Sequence, residues 1–204
     1  MIDAVAQRVS ATRIWVTEIT PPIELLNDAA RVASTLSGTV GRVLGAGSFE
    51  NRTVAERLVA HLPGPAANAL RSRFEWYGCR GAGFHNDAHY TDVLFGAWCI
   101  SGPPREVVFS RLGLRAVGSP GAVVIFDPFE PHAVLARGAT RYEATSYEGS
   151  PASVFLAFEI ELAAAVADLF GIGPTPARSA SALSSRIAIN AETGALASTS
   201  EFLR

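Results

Sequence analysis

The sequence predicts an α+β fold in which a jelly roll of short strands is backed by N-terminal helices. Three features predict it. Apolar residues recur at helical spacing mainly before residue 72. Between residues 73 and 162 the apolar runs are short, rich in β-branched and aromatic residues, and cut by Gly and Pro turns. Helices first and strands afterwards is the order of a sheet or barrel covered on one face. The chain has 204 residues, 49% hydrophobic and 18% charged, which is enough apolar material for one domain and not a disordered composition. A single domain is expected over 1–170, with helical support at about 20–72 and the strand core at about 73–162. Residues 171–204 are dominated by Ser, Ala, Thr, Pro and Gly and read as a C-terminal tail, partly ordered at most.

The elements follow in order. Residues 13–19 read as a strand. Thr20 then offers an N-cap and Pro21-Pro22 suit a first helical turn. A helix over 23–36 places Leu26, Ala29, Ala30, Ala33 and Leu36 on one face, and Gly38 closes it. Gly41 to Gly47 is glycine-rich but lacks the Lys-Ser/Thr of a phosphate-binding loop, so it reads as a mobile connector. Ser48 or Asn51 caps a second helix through Leu62, with Val54, Leu58 and Leu62 inward and His61 at the surface. Pro63-Gly64-Pro65 stops it, and a short third helix covers 66–71. Strands are then expected at 74–77, 90–100, 105–110, 112–117, 122–126, 132–136, 141–147 and 154–162, with a short helix at 163–170. In the last strand Val154, Leu156, Phe158 and Ile160 alternate with Glu159 and Glu161, which predicts one dry face and one wet face.

A net charge of −2 gives no basic excess, so no nucleic-acid partner is expected. No apolar run reaches membrane-spanning length and no leader precedes the first strand, so the expected location is cytoplasmic. Cys79 and Cys99 are too few for a disulfide framework and read as free, packed thiols.

The chemistry lies between Gly83 and Tyr147. His85 and Asp87 are two apart, so on a strand both side chains face the same way while Asn86 faces the other. His132 would start a facing strand and add a third donor. Two imidazoles and a carboxylate on one face, with open positions opposite, suit iron(II). His89 shares their parity as a spare ligand. Arg141 offers a bidentate fork for a carboxylate, and Arg137 is expected to face solvent. Asn86, Tyr90, Trp98 and Tyr77 are candidates for the pocket wall.

The stretch Phe84–Tyr147 resembles the core of the iron(II)- and 2-oxoglutarate-dependent dioxygenases. Their pattern is His-x-Asp/Glu, a distal His and an Arg or Lys about ten residues on, matched by His85, Asp87, His132 and Arg141. The approach Gly121-Ala122-Val123-Val124-Ile125-Phe126 is also similar to theirs. The resemblance implies a double-stranded β-helix, with Fe(II) held by His85, Asp87 and His132. It implies 2-oxoglutarate bound through Arg141, and hydroxylation with release of succinate and CO2. Many members carry Ser or Thr two residues after the Arg; here Glu143 stands there. A small molecule or a peptide residue is the expected substrate. The oligomeric state is not legible. Two other readings stay open: a cupin-like metalloenzyme without 2-oxoglutarate, and a non-catalytic jelly-roll binding module.

Overall fold

A computed structural model describes residues 7–9, 13–35, 40–87, 89–173, 182–184 and 188–196. The expected helix residue Leu36 and its Gly38 cap lie outside them. Two antiparallel sheets face each other, with helices on the outside of the larger one.

The larger sheet has six strands. They are β2 (Trp15–Glu18), β3 (Val43–Glu50), β4 (Leu70–Cys79), β6 (Val93–Ser101), β9 (Ala122–Phe126) and β11 (Ser153–Glu161). Their order is β2-β9-β6-β11-β4-β3. The smaller sheet has four strands: β5 (Ala82–His85), β7 (Arg105–Phe109), β8 (Leu114–Gly118) and β10 (His132–Ala136), in the order β5-β10-β7-β8. Four antiparallel pairs are nested inside one another along the chain: β4 with β11, β5 with β10, β6 with β9, and β7 with β8.

Strand alternation divides the apolar residues between two sides. On β6, Leu94, Trp98 and Ile100 join the core under the helices, while Phe95, Ala97 and Cys99 line a cavity between the sheets. On β9, Val123 and Ile125 go outward and Ala122, Val124 and Phe126 inward. The expected dry face of β11 is present in Val154, Leu156, Phe158 and Ile160, all buried. Its second face is not simply wet, because Ser153 and Phe155 line the cavity and only its far end carries Glu159 and Glu161. Gly96 is required here, since a Cβ would lie 2.1 Å from the Phe158 ring.

The outer core is closed by α1 (Ile23–Thr35), α2 (Arg52–Val59), α3 (Gly64–Asn68) and α4 (Ala164–Phe170). Asn51 caps α2, its side chain accepting from Val54 N at 3.1 Å, and Val54, Leu58 and Leu62 are buried as their spacing predicts. On α1 the inward residues are Leu25 and Ala29, and Leu26 is turned largely outward, so the expected face is off by one position.

Two other segments depart from expectation. Residues 43–50 are not a connector but strand β3, paired with β4 through an irregular register at Gly45–Ser48. Residues 141–147 are not a strand: Gly138 turns the chain with φ +78°, and Ala144–Tyr147 is a 3-10 helix.

At the ends of the chain, β1 (Gln7–Val9) pairs with β12 (Ala182–Ser184). Residues 188–196 form a strap on the outer face of the smaller sheet. Ala191 O accepts from Phe84 N at 2.7 Å, Glu192 O from Tyr142 N at 2.9 Å, and Gly194 O from Ser110 Oγ at 3.1 Å. Ile189 packs with Phe84, Val108, Ala133 and Leu135. No helix among the described residues is long and apolar enough to cross a membrane.

Candidate metal centre and cavity

His85 ends β5 and His132 opens β10, and these two residues are register partners across the strand pair. Their ring centroids are 4.5 Å apart. Asp87 follows β5 directly, and its backbone N donates to Pro128 O at 2.8 Å, which ties it to the loop before β10. Ligand atoms of His85, Asp87 and His132 all lie within 4.8 Å of one another. Among the described residues no other group of three His, Cys, Asp or Glu side chains is so placed.

The hydrogen bonds decide which ring nitrogen is free. His85 Nδ1 lies 2.7 Å from Gly83 O, and His132 Nδ1 lies 2.8 Å from Glu130 O. A carbonyl only accepts, so in the neutral ring the proton sits on Nδ1 and the lone pair is left on Nε2. Those Nε2 atoms are 3.9 Å (His85) and 3.6 Å (His132) from Asp87 Oδ2, too far for hydrogen bonds. The three atoms face one point rather than satisfying one another. Neutral imidazoles and a carboxylate are the donor set for a divalent cation, so the residues fit an iron(II) ion.

Burial keeps His132 neutral. Desolvation first, and the neighbouring His85 second, pull its pKa from 6.5 to about 4, against the opposing pull of Asp87. The loop that orients His132 is fixed by a buried ion pair: Glu130 is fully buried, and Arg111 donates to it from Nε and Nη2. Burial raises the Glu130 carboxyl while Arg111 opposes that rise.

The three residues stand at one end of a cavity of about 300 Å³ between the sheets. Arg105, the first residue of β7, lines the same cavity. Its register partner on β10 is Ala136, four residues beyond His132. That places the two backbones about 13 Å apart along the strand. The Arg105 side chain is buried over the Tyr147 ring, 5.1 Å from its centroid. Its Nη2 donates to Ser150 Oγ at 3.0 Å and Pro151 O at 3.1 Å, while its Nε is buried without an acceptor. Among the described residues no carboxylate is paired with it. Desolvation lowers its pKa. A buried cation with a spare N–H and no counter-ion is the electrostatic complement of an anion inside the cavity.

Arg141 lies elsewhere. It is exposed, does not line the cavity, and pairs with Glu143 through Nε and Oε1 at 2.8 Å. Glu143, the residue that breaks the expected pattern, is its partner there. Of the other candidates, Tyr77, Tyr90 and His89 line the cavity, Trp98 faces the helices and donates to Ile19 O at 3.0 Å, and Asn86 is not in the wall. His89 stands apart from the three converging donors. Sequence reasoning missed Arg105, although its parity with Val107 and Phe109 on an apolar strand was the available signal. Cys79 and Cys99 are free thiols in the cavity wall, and burial pushes both up to about 11.

No protein-family model and no curated protein matches the sequence. Among solved structures, a Pseudomonas putida prolyl-4-hydroxylase is similar at a TM-score of 0.47 and 12% identity, over 72% of this chain and 92% of that chain. An oxidoreductase of the 2OG-Fe(II) oxygenase family from Burkholderia pseudomallei is similar at 0.31 and 14% identity, over 74% of this chain and 69% of that one. At these scores the likenesses carry no functional inference, and the reading of the site rests on its own residues.

Proposed function

We propose that this chain is an iron(II)- and 2-oxoglutarate-dependent oxygenase. In this reading His85, Asp87 and His132 hold the metal and Arg105, rather than Arg141, pairs with the far carboxylate of the 2-oxo acid. The observation that carries it is the pair of carbonyl-pinned imidazoles whose free Nε2 atoms converge with Asp87 Oδ2. The nested order of strand pairs from β4 to β11 is that of a rolled-up hairpin, which supports the double-stranded β-helix.

Iron(II) would supply oxygen activation, coupling oxidative decarboxylation of 2-oxoglutarate to hydroxylation of a C–H bond. The chain supplies position and dryness. Gly83 O and Glu130 O fix the imidazole planes, Arg111 fixes Glu130, and Arg105 sets the depth to which a dicarboxylate enters. Phe126, whose ring centroid is 4.6 Å from that of His132, packs on that buried ring and helps keep it from water.

Conversion of 2-oxoglutarate to succinate, followed by NMR with iron(II) and ascorbate in air, tests this. Slow substrate-independent turnover is expected in the wild type and not in His132→Ala. Iron-dependent oxygen uptake without succinate would replace it with the cupin-like reading.

A further inference from the structure

Arg111, Arg115 and Arg141 are each paired with a carboxylate, from Glu130, Glu106 and Glu143. Arg105 is more deeply buried than any of them, yet the groups that hold it are neutral. They come from one turn. Ser150 N donates to Tyr147 O at 3.2 Å, so the chain doubles back after the 3-10 helix and brings Ser150 Oγ and Pro151 O to Arg105 Nη2. The Tyr147 ring, which is fully buried, lies under the guanidinium. That ring is fixed by contacts other than Arg105. Ala136 N donates to Tyr147 Oη at 2.8 Å, and Ala136 is the residue directly across the ladder from Arg105. Tyr142 stacks on Tyr147 with centroids 5.4 Å apart and planes at 12°. Gly81 leaves the ring its room, since a Cβ there would lie 2.6 Å from it. Tyr147 does not line the cavity, so it reaches a bound molecule only through Arg105.

We propose that Tyr147 is a positioning residue for the 2-oxo acid: its ring holds Arg105 inside the cavity as a cation without a counter-ion, and so makes the site select 2-oxo acids that carry a far carboxylate. This rests on the oxygenase reading, which assigns Arg105 to that carboxylate. A long arginine side chain with nothing to hold it turns its head toward water, where the charge is hydrated. A carboxylate of the chain would keep the head inside but neutralise the charge that the incoming acid needs. An aromatic face attracts a guanidinium through its quadrupole and carries no net charge. The two oxygens on Nη2 add orientation, also without charge, and leave Nε free for the ligand. The ring therefore retains the cation and leaves it unneutralised.

The test uses the full chain loaded with cobalt(II), an oxygen-stable stand-in for iron(II). 2-Oxoglutarate and 2-oxopentanoate, which has the same carbon chain and no far carboxylate, are titrated in turn by calorimetry. The wild type is expected to prefer 2-oxoglutarate by about tenfold or more. Tyr147→Leu removes the ring and is expected to weaken 2-oxoglutarate by about tenfold while leaving 2-oxopentanoate within about twofold. Tyr147→Phe keeps the ring and is expected to keep the preference within about threefold. In an Arg105→Gln background Tyr147→Leu should change 2-oxoglutarate binding no further, because its effect passes through the guanidinium. Equal weakening of both acids by Tyr147→Leu overturns the proposal, and so does a full further loss in the Arg105→Gln background. Should Tyr147→Leu not fold, loss of the preference in Tyr147→Phe overturns it by itself. Cobalt loading with no preference between the acids in the wild type sinks this proposal and leaves the metal centre standing. Failure of cobalt to load at all sinks the oxygenase reading and this proposal with it.

Discussion

At the scale of single residues, the burial of the His132 ring bears both on stability and on its proposed role as a metal ligand. Its pKa is lowered from 6.5 to about 4. Between those values the unfolded chain binds a proton that the folded one refuses. The contribution of His132 to the stability of the metal-free protein is therefore fully present above pH 6.5 and is lost as pH falls toward 4, by on the order of 3 kcal/mol. Urea denaturation at pH 7 and pH 4.5 measures this, and His132→Gln should remove that part of the slope. Arg105 gives a second prediction. Arg105→Gln should weaken 2-oxoglutarate binding to the cobalt(II) protein by about 2 kcal/mol, the scale of a charged hydrogen bond, while Arg141→Ala leaves it within about twofold. A third concerns the thiols. With Cys79 and Cys99 raised from 9.0 to about 11, a disulfide reagent at pH 8 should modify the native protein about a hundredfold more slowly than the urea-unfolded chain.

At the scale of elements, the candidate site is held by what lies just outside it. The strap at 188–196 bonds to the backbone of Phe84, next to His85, and a Cβ on Gly83 would lie 2.8 Å from Ala191 O. The Arg111–Glu130 pair does the same for the loop before β10. Arg111→Ala leaves a buried carboxylate unpaired and is expected to cost about 3–5 kcal/mol, read as a drop in melting temperature. Much of this level was legible in advance. The limits of β9 and β10 follow from apolar runs bounded by Gly121 and Gly138, and α2 from its Asn51 cap. His85 and Asp87 were readable because strand parity is local. Arg141 was misleading for a local reason of the opposite kind. The glycine turn at 138 and the 3-10 helix at 144–147 take the chain out of the sheet just after β10. The glycines of 41–47 misled because a strand can absorb them through an irregular register, which β3 does against β4.

At the scale of the whole molecule, the four nested strand pairs decide which residues meet. They bring His85 opposite His132 and Arg105 opposite Ala136. Parity could mark Arg105 as sharing a face with Val107 and Phe109, but not that this face meets the cavity, which depends on a pairing between β7 and β10 some thirty residues apart in the chain. The same architecture gives the larger sheet two dry faces, one under the helices and one toward the cavity, so the expected wet face of β11 is confined to its end. The central claim is that this arrangement builds an iron(II) and 2-oxo acid site. Anaerobic titration with iron(II) and then 2-oxoglutarate tests it most directly, through the weak visible charge-transfer absorption of the chelate. The band should appear in the wild type and in Arg141→Ala, be weakened in Arg105→Gln, and be absent in His132→Ala. A band that survives His132→Ala, or none in the wild type despite bound iron, would contradict the account.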